Sequence, residues 1–264
     1  MGFKTKKTIF IFIWISIIYF QKINILANNT VLNNLDYRFS IYAWGAGISG
    51  KTQSGKSFDV SFKEVLDNIR FTYMGSFAVM KDDWSLIADL IYLNMDQKSS
   101  STIYLPVENN QRILKISDKI KLDTSGTVIN LLFDKNLLIY RIIKLNYILG
   151  TRFLDLDSKL QIKLNSIIGN YKIKDKLSTS VLDAVVGIQG KVIFNEQWSL
   201  PYYFDLGTGQ SKNTSQFVAG ITSSYEKFSI DLLYRSIKWK FKSKELLKNI
   251  EFKGPMLGFI YKFD

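Results

Sequence analysis

The sequence predicts an all-β protein: an antiparallel, up-and-down transmembrane β-barrel of about ten strands, eight or twelve being compatible, with a short helix in its first loop. Three observations predict it. In the closing stretch, Leu257, Phe259, Tyr261 and Phe263 alternate with Met256, Gly258, Ile260 and Lys262. Side chains of a strand point to alternate faces, so one face is apolar and aromatic-rimmed and the other mixed. An aromatic-rich alternating strand at the end of an exported chain is the expected closing strand of an outer-membrane barrel. The N-terminus reads as an export signal. The connections between strand candidates alternate between short and long, as in barrels with short turns on one side of the membrane and long loops on the other.

Residues 1–27 are the expected signal peptide. Lys4, Lys6 and Lys7 form a basic start, Thr8–Phe20 is an apolar run, and Ile25-Leu26-Ala27 precedes the expected cleavage. The apolar run is shorter than the roughly 20 residues of a spanning helix. Residues 28–264 are then the barrel domain. Mean hydropathy is near zero, at +0.02, which suits a barrel whose inward half is polar. The formal charge is +12. The first 27 residues hold four lysines and no acid, which leaves +8 for residues 28–264. The lysines look scattered along the chain, without the stripe of a nucleic-acid binder. Anionic outer-membrane lipid or lipopolysaccharide is the expected partner, together with the barrel-assembly machinery, and no nucleic acid. There is no cysteine and no histidine. Disulfides are therefore excluded, and so are His-ligated zinc and the usual Ser-His or Asp-His hydrolytic devices.

The strand candidates, in order, are Arg38–Gly50, Ile69–Met80, Trp84–Met95, Asp123–Phe133, Asn146–Asp157, Leu182–Phe194, Trp198–Leu206, Thr214–Tyr225, Phe228–Phe241 and Ile250–Phe263. Short turns are expected at 81–83, 195–197 and 226–227, and longer polar loops at 51–68, 96–122, 158–181, 207–213 and 242–249. Leu137–Ile143 reads as a long turn or as part of another strand. A secreted soluble barrel or sandwich would show the same periodicity with its apolar faces inward. The signal peptide, the closing strand and the loop lengths favour the membrane.

Alternation sorts the faces. In Trp198–Leu206, Leu200, Tyr202, Phe204 and Leu206 oppose Ser199, Pro201, Tyr203 and Asp205. The same parity puts Asp89, Arg152, Asp183, Gln189, Asp205, Asp231 and Arg235 on inward faces. An Arg or Lys on the lipid face at mid-membrane costs roughly 2–4 kcal/mol. These groups are therefore expected in the lumen, bracing it as paired acids and arginines or lining a solute path.

Gly50-Lys51-Thr52-Gln53-Ser54-Gly55-Lys56-Ser57 fits the phosphate-loop pattern. That chemistry needs a helix start directly after the loop and a β-α context, and the sequence offers neither. A polar surface loop is the expectation. Phe62, Val65, Leu66 and Ile69 fall on one side of a short helix expected at Ser61–Asn68: a small plug, a surface helix over the mouth, or a plain turn. Asp155-Leu156-Asp157 and Asp82-Asp83 lack the spacing of a calcium loop. No metal, cofactor or catalytic residue is expected.

The chain resembles a widespread family of uncharacterised Gram-negative outer-membrane β-barrel proteins, loosely porin-like. Asp183 and Gly187 stand at matching positions of a W-x-D-P-x-x-G-x-R strand, in which Trp, Pro and Arg are replaced here. Trp198-Ser199-Leu200, Phe204-Asp205-Leu206-Gly207-Thr208-Gly209, Tyr234-Arg235 and Gly254-Pro255-Met256-Leu257-Gly258 follow in the family's order. Tyr42-Ala43-Trp44, Ser61–Leu66, Trp84–Tyr92 and Gly150-Thr151-Arg152 are similar to its earlier strands. The resemblance implies a barrel fold and an outer-membrane location, and no catalytic residues. The expected function is a non-enzymatic integral barrel: a narrow porin-like channel or a surface-exposed adhesin or ligand-binding barrel acting through its loops. Leu257, Phe259, Tyr261 and Phe263 are the expected assembly signal.

Overall fold

The computed structural model describes residues 35–55, 57–106, 113–166, 169–243 and 247–263. The expected signal peptide lies outside them. Twelve strands form a single antiparallel sheet. They are β1 (Asp36–Trp44), β2 (Gly47–Thr52), β3 (Ser57–Val60), β4 (Ile69–Lys81), β5 (Trp84–Pro106), β6 (Ile113–Tyr140), β7 (Ile143–Ser166), β8 (Gly169–Ile193), β9 (Trp198–Gly209), β10 (Asn213–Ser224), β11 (Phe228–Lys240) and β12 (Leu247–Phe263). Helix α1 (Phe62–Asn68) lies between β3 and β4. β1 pairs with both β4 and β12, so β1 and β4–β12 close a ten-strand barrel. β2 extends the line of β1 along the far part of β12, and β3 pairs with β2. Among the described residues no helix is long and apolar enough to cross a membrane.

The break between β1 and β2 explains the Gly254-Pro255 motif. Trp44 pairs with Met256 and Gly47 with Lys253, which leaves Gly45 and Ala46 facing Gly254 and Pro255. A Cβ on Gly254 would come within 2.0 Å of the Gly45 carbonyl oxygen, so only glycine lets the two backbones approach this closely. Proline has no N–H to give a ladder, and here it sits where the ladder is interrupted. Its carbonyl accepts from the Gly45 N–H at 2.8 Å.

The described parts of segments 96–122 and 158–181 are strand and not loop. β5 through β8 run for 23, 28, 24 and 25 residues, against 12, 12 and 13 for β9 through β11. Pairing continues from Asp96↔Asp123 to Pro106↔Ile113 and from Lys159↔Lys176 to Ser166↔Gly169. At about 3.3 Å per residue these strands measure roughly 75–90 Å, where a membrane crossing takes roughly 9–11 residues. The sequence carries the strand period in Leu114, Ile116, Ile120 and Leu122 and in Leu160, Ile162 and Leu164. Serines and lysines between them give the segments the composition of loops.

The opposite end has tight turns. Asp82 and Arg141 adopt positive φ, 51° and 48°, in the β4–β5 and β6–β7 turns. Leu137–Ile143 is the tip of the β6–β7 hairpin, after a bulge between Asn136 and Leu138. The phosphate-loop match spans the β2–β3 hairpin, with Gly55 at φ 88°, and is followed by a strand. The outward faces carry exposed apolar side chains on every wall, among them Leu86, Leu131, Leu149, Val186, Phe204, Phe217, Leu232 and Leu257. Toward the turn end aromatics join them, with Tyr225 stacked on Phe228 at 4.6 Å and Phe228 on Phe259 at 5.8 Å. Leu257, Phe259 and Phe263, expected from the sequence to act in assembly, are exposed on this outer face.

Candidate functional site

The barrel's interior is layered. At its centre lies a lattice of charged and polar side chains from seven different strands. Arg152 on β7 forms a two-armed salt bridge with Asp205 on β9, one arm at 3.0 Å. Its Nε donates to the Asn130 side-chain oxygen at 2.7 Å, and a terminal nitrogen donates to Thr214 at 3.1 Å. The Tyr203 hydroxyl donates to Asp205. Arg235 on β11 donates to Asp89 on β5 at 2.7 Å, to Gln216 at 2.9 Å and to the Tyr42 hydroxyl at 3.0 Å. Tyr42 in turn donates to the other Asp89 oxygen at 2.5 Å. Asn130 joins the halves: its amide nitrogen donates to Asp89 at 2.9 Å while its oxygen takes the Arg152 bond.

This geometry follows from parity and register. Each residue occupies an inward position, and the two arginines reach carboxylates on non-neighbouring strands, Arg152 past β8 to β9 and Arg235 across the lumen to β5. Arg152, Asp205 and Asn130 are completely buried. Charges this deep persist only when paired and hydrogen-bonded. The arginine planes also lie near aromatic rings, Arg235 5.3 Å from Trp44 and Arg152 6.0 Å from Trp239.

On the long-strand side the lattice is roofed by an apolar cluster that includes Leu154, Ile237 and Trp239, all fully buried, with Phe241, Leu247 and Ile250. On the turn side a second polar layer centres on Asp134. It accepts from Ser85, from Gln189 and from Asn146, the last at 2.6 Å. Below it a cavity of about 610 Å³ opens at the turn end, with Tyr42, Asp89, Gln216 and Arg235 among its inner lining.

Of the seven inward residues read from the sequence, Asp89, Arg152, Asp205 and Arg235 thus come together in one lattice. Gln189 belongs to the Asp134 layer. Asp231 lines the cavity and accepts from Thr222 at 2.7 Å. Asp183 stands apart, buried beneath the β9–β10 turn, where it accepts from the Ser211 N–H at 2.9 Å. Sequence reasoning missed Asn130, Tyr42 and Asp134. Asn130 was the findable one, a lone amide at an inward position between Val128 and Leu132. Among the described residues no three potential ligands cluster for a metal.

No protein-family model matches the sequence, and no curated protein sequence does. The family likeness of 181–189 and 254–258 therefore rests on those residues alone. Solved structures are similar in fold. The outer-membrane protease OmpT from Escherichia coli superimposes with a TM-score of 0.51 at 10% identity, over 88% of this chain and 97% of that one. The translocator domain of the autotransporter NalP from Neisseria meningitidis gives 0.41 at 13% identity, with 91% of each chain covered. Ail of Yersinia pestis gives 0.29 at 14%, over 87% of this chain and 99% of that one. The OmpT likeness shows the shared architecture: a closed antiparallel barrel of the outer-membrane type.

Proposed function

We propose that this protein is an integral outer-membrane barrel, turn end toward the periplasm, that binds anionic glycans at the cell surface through the sheet projecting from β5–β8. The observation that carries this reading is where the charge lies. Segment 97–122 holds five basic and two acidic residues, and 158–181 holds five and one. The two β-hairpins thus carry +7 of the +8 of residues 28–264. Lysines that look scattered along the chain fall into register, Lys98 beside Lys121, Lys119 beside Lys163 and Lys163 beside Lys172. A segment with this charge balance attracts a polyanion. The roofed lattice argues against the porin-like alternative, since a solute path would break its buried ion pairs. The absence of histidine supports a non-catalytic role.

The test trims both hairpins, joining Asp96 to Asp123 and Lys159 to Lys176 by two-residue turns. Each junction lies at directly paired positions, so the ladder below is kept. The trimmed barrel should still fold in detergent, read by the mobility difference between heated and unheated samples. It should lose salt-sensitive binding to dextran sulfate that the full chain shows and neutral dextran does not. Undiminished binding by the trimmed barrel would overturn the proposal. Conductance steps from the pure full-length barrel in planar bilayers would restore the channel.

A further inference from the structure

The cavity at the turn end is lined by two cation pairs. Lys144 on β7 is directly paired with Lys191 on β8. Arg38 on β1 is directly paired with Lys262 on β12. All four line the cavity. Round the barrel, the β7–β8 and β12–β1 seams lie on opposite walls. Lys191 feels the charges of Lys144, Lys262 and Arg38 together, so the two pairs confront each other across the opening.

Like charges paired in register are destabilising unless something neutralises them. Of the acids that share the lining, Asp89, Asp134, Asp231 and Asp83 are engaged elsewhere, and Asp82 lies in the turn at the rim. Asp134 holds three donors and Asp231 holds Thr222, and both act on Arg38 through their fields. At the rim Asp83 meets Lys135 at 3.7 Å, with Asp82 beside it in the turn. Among the described residues none of the four cations has an ion pair to a carboxylate. The central lattice shows the contrast, because there every guanidinium has one.

We propose that this cavity is a binding site for a small phosphate-bearing anion entering from the turn end, held between Lys144 and Lys191 on one wall and Arg38 and Lys262 on the other. The guanidinium and three ammonium groups supply charge-assisted donors from two sides, a geometry suited to an anion with several oxygens. The anion is either a soluble phosphate ester or a phospholipid headgroup tipped in from the adjoining leaflet. The two share the chemistry that the site recognises.

The experiment uses the full-length barrel in neutral detergent, titrated calorimetrically with pyrophosphate. Saturable binding is expected, weakened at least about tenfold by Lys144→Gln with Lys191→Gln, and likewise by Arg38→Gln with Lys262→Gln. Lys242→Gln, outside the cavity, should bind as the parent does. Repeating the titration in micelles doped with phosphatidylglycerol separates the sources: competition identifies the headgroup, and unchanged affinity identifies the soluble anion. Absence of saturable binding of either probe, or parental affinity in both double variants, would overturn the site. The hairpin-trimmed barrel should bind pyrophosphate normally, so this inference and the glycan proposal fail independently.

Discussion

Two layers of the same lumen handle charge in opposite ways. At the centre, Arg152 and Arg235 meet Asp205 and Asp89, and the remaining donors of the guanidinium groups find Asn130, Thr214, Gln216 and Tyr42. Toward the turn end, Lys144 faces Lys191 and Arg38 faces Lys262, with no carboxylate among the described residues bonded to any of them. Both layers obey the same inward parity. The difference teaches that an inward charge is not in itself a sign of a path or a site. A satisfied charge is bracing, because its partner and hydrogen bonds offset the cost of taking it out of water. A charge opposed by its own kind still wants a counter-ion.

The most forceful way to break the contrast is to cut the central lattice. Arg152→Met leaves Asp205 buried with Tyr203 as its remaining hydrogen-bond donor and strips the Asn130 oxygen and the Thr214 hydroxyl of the Arg152 donors. Removing one member of a buried pair costs about 3–5 kcal/mol. The urea midpoint of the barrel in detergent should fall accordingly. Arg152→Met combined with Asp205→Leu should recover much of the loss, because no lone charge remains. If the single variant is as stable as the parent, the layer is not bracing the barrel. Next comes Asn130→Leu, which keeps the branching of asparagine in a slightly larger side chain and removes the bridge between the halves. Each half keeps its own ion pair but loses one hydrogen bond, worth about 1–3 kcal/mol in a buried setting. The two halves should then behave independently, so that a double-mutant cycle between Arg152 and Arg235 variants, coupled in the parent, becomes additive.

The fold was legible because its signals are local. Ten strand candidates, the helix at 61–68 and the inward parity of Asp89, Arg152, Asp205 and Arg235 all come from counting residues by twos. What was hidden depends on which strands meet. Segments 96–122 and 158–181 look like loops because an outer membrane demands an apolar face only over the crossing, and beyond it a strand can be built of serine and lysine. The role of Asn130 was hidden because a single inward amide has meaning only once Asp89 and Arg152 are known to lie on either side of it. The cation pairs were hidden for the same reason. Lys144 and Lys191 are 47 positions apart, and only the register makes them neighbours.

The turn-end layer offers a smaller and opposite effect. With no anion added, Lys144→Gln should stabilise the barrel, since it removes repulsion from Lys191 and leaves no orphaned partner. Cross-strand like-charge pairs cost roughly 0.2–1 kcal/mol. The urea midpoint should rise slightly, and the gain should shrink at high salt as the repulsion is screened. A destabilised Lys144→Gln would mean that this lysine holds a structural partner after all, and would place its layer in the same class as the lattice.

The smallest effect is expected at the surface, where the same donor-and-carboxylate chemistry recurs without burial. Ser61 caps α1 and shares a reciprocal capping box with Glu64. The Glu64 carboxylate accepts from the Ser61 N–H at 2.8 Å and from its hydroxyl at 2.9 Å, and these bonds hold it below the usual carboxylate range. A depressed folded-state value means that the capping contribution is complete above the unfolded glutamate's value and fades as pH falls through the folded one. NMR titration of Glu64 in detergent should show that depression, and Ser61→Ala should remove the smaller part of it, that due to the hydroxyl, because the backbone N–H bond stays, while leaving the global unfolding midpoint nearly unchanged. An equal loss of midpoint in Ser61→Ala and Arg152→Met would erase the distinction between exposed and buried pairs. Water competes for every donor at Ser61 and for none at Arg152, so the two bonds should differ in worth although they are nearly the same length.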